Sequence, residues 1–166
     1  MSRRIAVIGT GYVGLVTAVG LADFGHYVIG ADIDDGKIEK LQKGIIPIYE
    51  PGLKEYFKRN VDAGRLKFIT NVDEAIKNSE VIFIAVGTPS KDDGDVDLSY
   101  VYSAVKTMGE YLNDYKVIVI KSTVPVGTNK EVTNVLQKIT GDNNFDVVSN
   151  PEFLREGKAV HDFFSS

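Results

Sequence analysis

The sequence predicts an α/β fold with a doubly wound parallel sheet of about six strands. Short runs rich in β-branched residues alternate with longer stretches of helical periodicity, which is typical of βαβ units. Several of the short runs are apolar throughout, as expected when helices cover both faces of the sheet. A glycine-rich turn, Gly9–Gly14, directly follows the first run. Together these observations favour the strand order 3-2-1-4-5-6.

The predicted elements follow one another without a break along the chain. The strands are expected at Ile5–Ile8, Tyr27–Ala31, Leu66–Ile69, Val81–Val86, Val117–Ile120 and Phe145–Val148. The helices are expected at Tyr12–Phe24, Gly36–Lys43, Gly52–Ala63, Val72–Lys77, Leu98–Leu112 and Asn129–Ile139. No internal repeat, low-complexity tract or linker interrupts this order, so one domain is predicted over residues 1–166.

Residues at the expected helix ends support these bounds. Gly25 can adopt the left-handed conformation that ends the first helix. Pro51 suits the first turn of the third helix, with Glu50 beside the positive end of that helix. Either Asp97 or Ser99 can cap the fifth helix. Each of the three helices thus has a local signal at one end.

Composition and charge narrow the classes of partner. The 166 residues are 43% hydrophobic and 25% charged, which is ordinary for a globular protein. A net charge of -4 argues against nucleic acid or an anionic membrane surface as the main partner. No apolar run approaches the ~18 residues of a membrane span, and Ile5–Gly9 is too short for a signal peptide. We therefore expect a cytoplasmic location.

The sequence contains no cysteine and two histidines. Disulfides, thiolate metal sites and a cysteine nucleophile are therefore excluded within these residues. Two isolated histidines support neither a zinc site nor a Ser-His-Asp triad. The acidic stretch 91–97 lacks the ligand spacing of an EF-hand. We expect no metal site.

The turn after the first strand has the GxGxxG spacing of a dinucleotide-binding site, in the strand–turn–helix context that such a site needs. Gly9 permits the tight turn, Gly11 lets the backbone approach a pyrophosphate, and Gly14 lets helix and strand pack closely. The helix N-terminus then faces the phosphates. The cofactor-binding residues predicted here are Gly9, Thr10, Gly11, Tyr12, Val13 and Gly14.

An acidic residue, Asp32, ends the second strand 18 residues beyond Gly14. At this position a carboxylate accepts hydrogen bonds from the ribose diol of adenosine and repels a 2′-phosphate. NAD is therefore favoured over NADP as the cofactor. Lys37 either reaches the phosphate side of the cofactor or is an exposed helix lysine.

Polar residues also follow the fourth, fifth and sixth strands. In the expected strand order these ends lie beside the glycine turn, so the hydroxyls of Thr88, Ser122 and Thr123 would surround the nicotinamide half of the cofactor. Local hydrogen bonding to the backbone is the alternative for such residues. Beyond the sixth strand, Glu152 and Glu156 share one face if the chain becomes helical there. They are acid–base groups if burial and mutual repulsion raise the pKa of one of them toward neutrality. The alternative is a solvated pair near a helix start.

The motifs together resemble one family, the nucleotide-sugar 6-dehydrogenases, and within it the UDP-glucose 6-dehydrogenase type. The resemblance covers essentially the whole chain. The matching motifs are Gly9–Leu15, Pro47–Leu53, Val86–Pro89, Lys121–Gly127 and Asn150–Gly157 with Asp162 and Phe163. Gly157 favours UDP-glucose over GDP-mannose relatives, which usually lack this glycine. The Asn150–Glu152 stretch disfavours relatives acting on UDP-N-acetylmannosamine.

The resemblance implies a Rossmann-like fold and a two-step oxidation of the C6 alcohol of UDP-glucose to the carboxylate, with two NAD. Besides the glycine turn, the residues it assigns to NAD are Asp32, Lys37, Val86, Gly87, Thr88, Pro89, Ser122 and Glu156. Those it assigns to the UDP-sugar are Glu152, Phe153, Leu154, Arg155 and Glu156. Thr123 and Glu152 would position water and shuttle protons, and Glu156 is the third candidate catalytic residue.

The family's chemistry passes through a thiohemiacetal and a thioester on a cysteine, assisted by a lysine and an asparagine. These 166 residues contain neither that cysteine nor the central helix through which the family forms homodimers, nor the second nucleotide-sugar domain. We therefore expect no turnover of UDP-glucose by this chain alone. A fragment of a GDP-mannose 6-dehydrogenase and a stand-alone dinucleotide-binding or regulatory module are the alternatives. Thr123 together with the two glutamates disfavours a 2-hydroxyacid dehydrogenase.

Overall fold

The computed structural model describes residues 1–165 of the chain. The strands are β1 Arg4–Ile8, β2 Tyr27–Ala31, β3 Leu66–Ile69, β4 Val81–Ile84, β5 Lys116–Ile120 and β6 Phe145–Ser149. The helices are α1 Tyr12–Asp23, α2 Asp35–Gln42, α3 Leu53–Asp62, α4 Val72–Lys77, α5 Ser99–Tyr111, α6 Thr128–Thr140 and α7 Ala159–Ser165. Apart from the end of β4 and the whole of α7, the predicted bounds agree within one residue.

All six strands pair in parallel in the order β3-β2-β1-β4-β5-β6, which confirms the predicted doubly wound α/β fold. The register aligns the strand ends in one row across the sheet: Ile69, Ala31, Ile8, Ile84, Ile120 and Ser149. The residues that follow these ends therefore lie together at the carboxyl edge. Open α/β sheets bind their ligands at this edge.

Helices cover both faces of the sheet, as the side chains of β1 illustrate. Ile5 and Val7 belong to a buried cluster with residues of α1, α2 and α3. Ala6 and Ile8 belong to a second cluster with residues of α4, α5 and α6. Because successive strand residues point to opposite faces, burial on both sides requires the apolar runs seen in the sequence.

The helix ends agree with the sequence at one position and differ at two others. Gly25 follows α1 with φ 92°, as predicted for a left-handed helix end. The N-cap residue of α5 is Leu98 and not Asp97 or Ser99, although the Asp97 carboxylate accepts a hydrogen bond from the Ser99 N–H at 2.9 Å. Pro51, however, precedes the first turn of α3, because that helix begins at Leu53.

The strand β4 ends at Ile84, two residues before the predicted end at Val86. The carbonyl of Val86 accepts a hydrogen bond from the Ser122 hydroxyl at 2.7 Å, where a continuing strand would accept a backbone N–H. The chain therefore leaves the sheet two residues early and enters the site.

The sequence does not predict the seven-residue helix α7, which is too short to be stable by itself. Its Phe163 ring lies where a Cβ on Gly20 of α1 would be, and stacks on Phe24 with centroids 5.8 Å apart. Packing on α1 therefore holds α7 in place. Within residues 1–165, no helix has the length and apolarity to cross a membrane.

Candidate functional site

The glycine turn between β1 and α1 packs tightly against the sheet and is open at one point. A Cβ on Gly14 would lie 1.8 Å from the carbonyl oxygen of Gly9, and one on Gly9 would lie 2.7 Å from that of Ala85. Gly9 also has a φ of +94°, which favours glycine. By contrast, a Cβ on Gly11 would meet nothing within 4 Å. The backbone at Gly11 is therefore accessible to a phosphate at the N-terminus of α1.

Asp32 lies directly beyond β2, and its side chain is 10% exposed. One carboxylate oxygen, Oδ2, accepts hydrogen bonds from the Thr10 N–H at 2.8 Å, the Thr10 hydroxyl at 2.9 Å and Lys37 Nζ at 3.0 Å. The other, Oδ1, accepts one from the Asp34 N–H at 3.1 Å. Burial alone would raise the pKa of Asp32, but these hydrogen bonds outweigh it and lower the pKa. The turn and the second strand are thus joined by an ionised carboxylate.

Two clefts lie on either side of the glycine turn. The first, about 150 Å³, is named the Asp32 cleft and is lined by Ile8, Gly9, Asp32, Ile33, Val72, Val86, Tyr100, Ser103, Ala104 and Thr107. The second, about 260 Å³, is named the Ser122 cleft and is lined by Gly11, Tyr12, Val13, Ala85, Val86, Gly87, Thr88, Lys121, Ser122, Thr123 and Glu152. Most of the predicted cofactor-binding residues are among these walls. The apolar wall with Ile33 and Tyr100 was missed, because it comes from two distant segments with no shared motif.

Three hydroxyl side chains line the Ser122 cleft, as the strand ends predict. Ser122 is buried, and its hydroxyl bonds to the carbonyl of Val86, which joins the ends of β4 and β5. Thr123 is exposed and Thr88 is half-buried in the same cleft. Ser122 therefore shapes the cleft, while the two threonines are accessible from it.

A buried lysine and a glutamate form an ion pair that the sequence did not single out. Lys121 Nζ lies 3.1 Å from Asn150 Oδ1 and 3.5 Å from Glu152 Oε2, and both charged side chains are about nine-tenths buried. The other oxygen, Oε1, accepts a hydrogen bond from the Leu154 N–H. At 3.5 Å the Lys121 contact is an ion pair and not a hydrogen bond, so Oε2 accepts none from the described residues. A charged residue directly after an apolar strand was the signal that could have identified Lys121.

The segment 150–155 is irregular, so the expectation that Glu152 and Glu156 share a helix face is wrong. The Glu152 carboxylate accepts a hydrogen bond from the Leu154 N–H and pairs with Lys121, which directly follows β5. These contacts compete with helical hydrogen bonds. Glu156 lies in an exposed turn and lines neither cleft. The structure therefore separates the two carboxylates that the sequence paired.

A larger open cleft of about 710 Å³, named the outer cleft, lies beyond the Lys121–Glu152 pair. Its walls are Phe24, Lys121, Asn150, Pro151, Glu152, Phe153, Leu154, Arg155, His161, Asp162, Phe163, Phe164 and Ser165. Phe153 is 83% exposed, whereas the Arg155 guanidinium pairs with the Asp162 carboxylate at 2.6 Å. The hydrogen bonds from Arg155 lower the pKa of Asp162. Lys121 and Glu152 line both this cleft and the Ser122 cleft.

Glu50 is a second buried carboxylate that the sequence placed only beside a helix end. It is 6% exposed, and its Oε2 accepts hydrogen bonds from the Tyr12 hydroxyl at 2.5 Å and the Gly157 N–H at 2.8 Å. Burial and the hydrogen bond to Glu50 raise the pKa of Tyr12. An acid within the largely apolar stretch 45–53 was the available signal.

Five of the predicted cofactor-binding residues lie outside the walls of the Asp32 cleft and the Ser122 cleft: Thr10, Gly14, Lys37, Pro89 and Glu156. Lys37 binds Asp32 instead of projecting towards the glycine turn's open side. Pro89 is exposed, and its carbonyl accepts a hydrogen bond from the Asp97 N–H at 2.8 Å. Their assignment to NAD remains a prediction.

The chain matches the UDP-glucose/GDP-mannose dehydrogenase family, NAD binding domain, over residues 3–166. It is 56% identical to the UDP-glucose 6-dehydrogenase TuaD of Bacillus subtilis over 161 residues, covering 96% of this chain and 35% of that protein. A UDP-glucose dehydrogenase structure from Pyrobaculum islandicum aligns with a TM-score of 0.94 at 43% identity, covering 99% of this chain and 39% of that one. The GDP-mannose dehydrogenase structure from Pseudomonas aeruginosa aligns with a TM-score of 0.92 at 39% identity, covering 96% of this chain and 38% of that one. The chain thus spans little more than a third of the length of these relatives.

Proposed function

Because the chain belongs to the UDP-glucose/GDP-mannose dehydrogenase family as its NAD binding domain, we propose that it is the cofactor-binding part of a UDP-glucose 6-dehydrogenase. The whole protein oxidises the C6 alcohol of UDP-glucose to the carboxylate of UDP-glucuronate with two NAD. The observation that carries this proposal is the Lys121–Glu152 pair, which lines both the Ser122 cleft and the outer cleft. An acid–base pair at this boundary lies between a cofactor on one side and a sugar nucleotide on the other.

The residues present fit NAD on three counts. The backbone at Gly11 is open where a Cβ would otherwise obstruct a pyrophosphate at the N-terminus of α1. The Asp32 carboxylate is ionised at the end of β2, where it accepts the ribose diol and repels a 2′-phosphate. Ile33 and Tyr100 offer apolar walls to an adenine in the Asp32 cleft. Bound NAD supplies the hydride acceptor for each oxidation.

Glu152 and Thr123 are the groups of this chain that handle protons and water. Oε2 of Glu152 accepts no hydrogen bond from residues 1–165, so it can accept the proton of an alcohol or a water. Lys121 opposes the charge of Glu152 and keeps its carboxylate turned towards the boundary of the two clefts. Thr123 is exposed in the Ser122 cleft, which Glu152 also lines, and its hydroxyl is the group that would position a water there. Glu156, the third candidate catalytic residue, is exposed in a turn and lines none of the three clefts, so its proposed role requires a bound sugar nucleotide.

The UDP-sugar occupies the outer cleft. Phe153 presents an exposed ring, and Leu154 and Arg155 continue the same wall. The Arg155 guanidinium is already paired with Asp162, so it offers the UDP-sugar no free charge. Arg155 instead holds the segment in position and offers its backbone. The sequence contains no cysteine, and so we expect no turnover from these 166 residues by themselves.

Calorimetric titration of the chain with NAD and NADP tests the cofactor assignment. NAD should bind more tightly than NADP, and Asp32→Ala should weaken NAD binding by about tenfold through the lost charged hydrogen bonds. Asp35→Ala is the matched control, because Asp35 is exposed on α2 and lines neither cleft. Equal affinities for the two dinucleotides would refute the role of Asp32.

Titration with UDP-glucose and GDP-mannose in the presence of NAD tests the substrate. UDP-glucose should bind more tightly, and Phe153→Ala should weaken it without changing NAD affinity. Tighter binding of GDP-mannose would favour the alternative sugar nucleotide, whereas binding of NAD alone, with neither sugar nucleotide, would support a dinucleotide-binding module. Steady formation of NADH from UDP-glucose by this chain would disprove the expected lack of turnover.

A further inference from the structure

Glu50 is an unusual acid in this fold because it is buried without a cation. It is 6% exposed, and none of the ion pairs among residues 1–165 includes it. Both of its hydrogen-bond donors, the Tyr12 hydroxyl and the Gly157 N–H, converge on Oε2. The other oxygen, Oε1, is buried and has no partner in the described chain. Burying a carboxylate oxygen without a partner is unfavourable, so a simple packing role does not explain it.

The two donors come from the two parts of the site. Tyr12 is the first residue of α1 and directly follows Gly11, the open point of the glycine turn. Gly157 lies in the turn that ends the segment 150–157, of which residues 150–155 line the outer cleft. The Tyr12 hydroxyl also lies 3.3 Å from the carbonyl of Arg155 in that segment. A movement of Tyr12 therefore changes two contacts of the segment at once.

We propose that Glu50 is a positioning residue that couples the glycine turn to the segment 150–157, so that occupation of the turn by NAD orders the wall of the outer cleft. The inference rests on the proposed function, because it requires NAD at the turn. The Tyr12 hydroxyl and the Gly157 N–H donate to the same Glu50 oxygen, Oε2, and hydrogen bonds to a carboxylate are short and strong. A displacement of Tyr12 therefore moves Oε2 and changes its hydrogen bond with Gly157. NAD bound next to Tyr12 thereby prepares the site for the sugar nucleotide.

Hydrogen exchange of the Gly157 amide, followed by NMR with and without NAD, reports this coupling directly. In the parent chain NAD should slow the exchange of Gly157. Glu50→Ala should speed that exchange about tenfold without NAD, because the amide loses its acceptor. Glu50→Gln should preserve the protection, since one amide oxygen can accept both hydrogen bonds. Glu55→Ala, an exposed acid on α3, is the matched control and should behave as the parent.

Tyr12→Phe removes the link between the glycine turn and Glu50 but leaves the hydrogen bond between Glu50 and Gly157. The variant keeps the Glu50–Gly157 hydrogen bond, so Gly157 should remain protected without NAD, yet NAD should no longer change its exchange. It also keeps the test informative if Glu50→Ala does not fold. An unchanged NAD response of Gly157 in Tyr12→Phe would overturn the inference, as would a parent that binds NAD with no response at Gly157. A parent that binds no NAD would overturn the proposed function, and the inference with it.

Discussion

The glycine turn at residues 9–14 and the segment at residues 150–157 lie at the same edge of the sheet but are held in different ways. The turn is fixed by backbone packing, with atoms of Gly9 and Ala85 where side chains would otherwise stand. The segment is irregular and is held by side chains from elsewhere, chiefly Lys121, Glu50 and Asp162. At Gly9 and Gly14 the packed turn tolerates almost no substitution, whereas a segment held by side chains can be loosened one contact at a time. The glycine turn is therefore rigid and the segment 150–157 adjustable.

The largest effect is expected where the packing of the turn is broken. Gly14→Ala should destabilise the chain by about 3 kcal/mol or more, because the new Cβ would lie 1.8 Å from the Gly9 carbonyl oxygen. Urea denaturation measures the loss.

Gly11→Ala is the matched control for Gly14→Ala. Its φ of -68° and the open space around it accommodate a methyl group, so stability should change by less than about 0.5 kcal/mol. NAD affinity should nevertheless fall, because the methyl group obstructs the pyrophosphate. Equal stabilities of the two variants would show that the turn is not rigid.

The next effect is expected at the ion pair between the clefts. Lys121→Met should cost about 2 kcal/mol, because it leaves the buried Glu152 carboxylate without its cation. The double variant Lys121→Met/Glu152→Gln should recover part of that loss. Denaturation of the four proteins gives a double-mutant cycle, and additive effects would show that the two residues do not interact.

The contribution of Asp32 to the free energy of unfolding should depend on pH. Asp32 has a lowered pKa in the folded chain, so its stabilisation is complete above the unfolded pKa near ~4 and is lost as pH falls through the lower folded value. Asp32→Ala should cost about 2 kcal/mol at neutral pH, and this difference should narrow below about pH 4. Urea denaturation of the parent and the variant measures this difference in stability between about pH 2 and about pH 7, the range in which carboxylates titrate. A difference that stays constant with pH would contradict the role of an ionised Asp32.

The smallest effect on global stability is expected within the segment. Arg155→Ala should change the free energy of unfolding less than any of the destabilising variants above, because the Arg155 guanidinium is largely exposed and its ion pair is screened by solvent. Amide exchange in 151–157 should nevertheless accelerate, since the Arg155 side chain links the segment to α7 through Asp162. Lys158→Ala, in the same exposed turn, is the control. A global loss as large as that of Gly14→Ala would show that the segment is part of the core.

The sequence predicted the positions of the glycine turn and of Asp32 because each signal there is local. The glycine spacing is read within Gly9–Gly14 alone, and Asp32 is read from its position directly after β2. The prediction that Glu152 and Glu156 share a helix face was wrong because it depends on a residue distant in the chain. The conformation there depends on Lys121, some 30 residues away in the chain, whose contact with Glu152 competes with a helix.

The sequence by itself determined the parallel sheet, its strand order and the dinucleotide turn, because apolar periodicity and glycine spacing act over neighbouring residues. Only the tertiary structure decided that Glu50 joins Tyr12 to Gly157 and that Lys121 opposes Glu152 between two clefts. It also decided that α7 forms, since Phe163 needs the surface of α1 at Gly20. These contacts join residues far apart in the chain, and the sheet must form before such partners meet. No local pattern in the sequence encodes them.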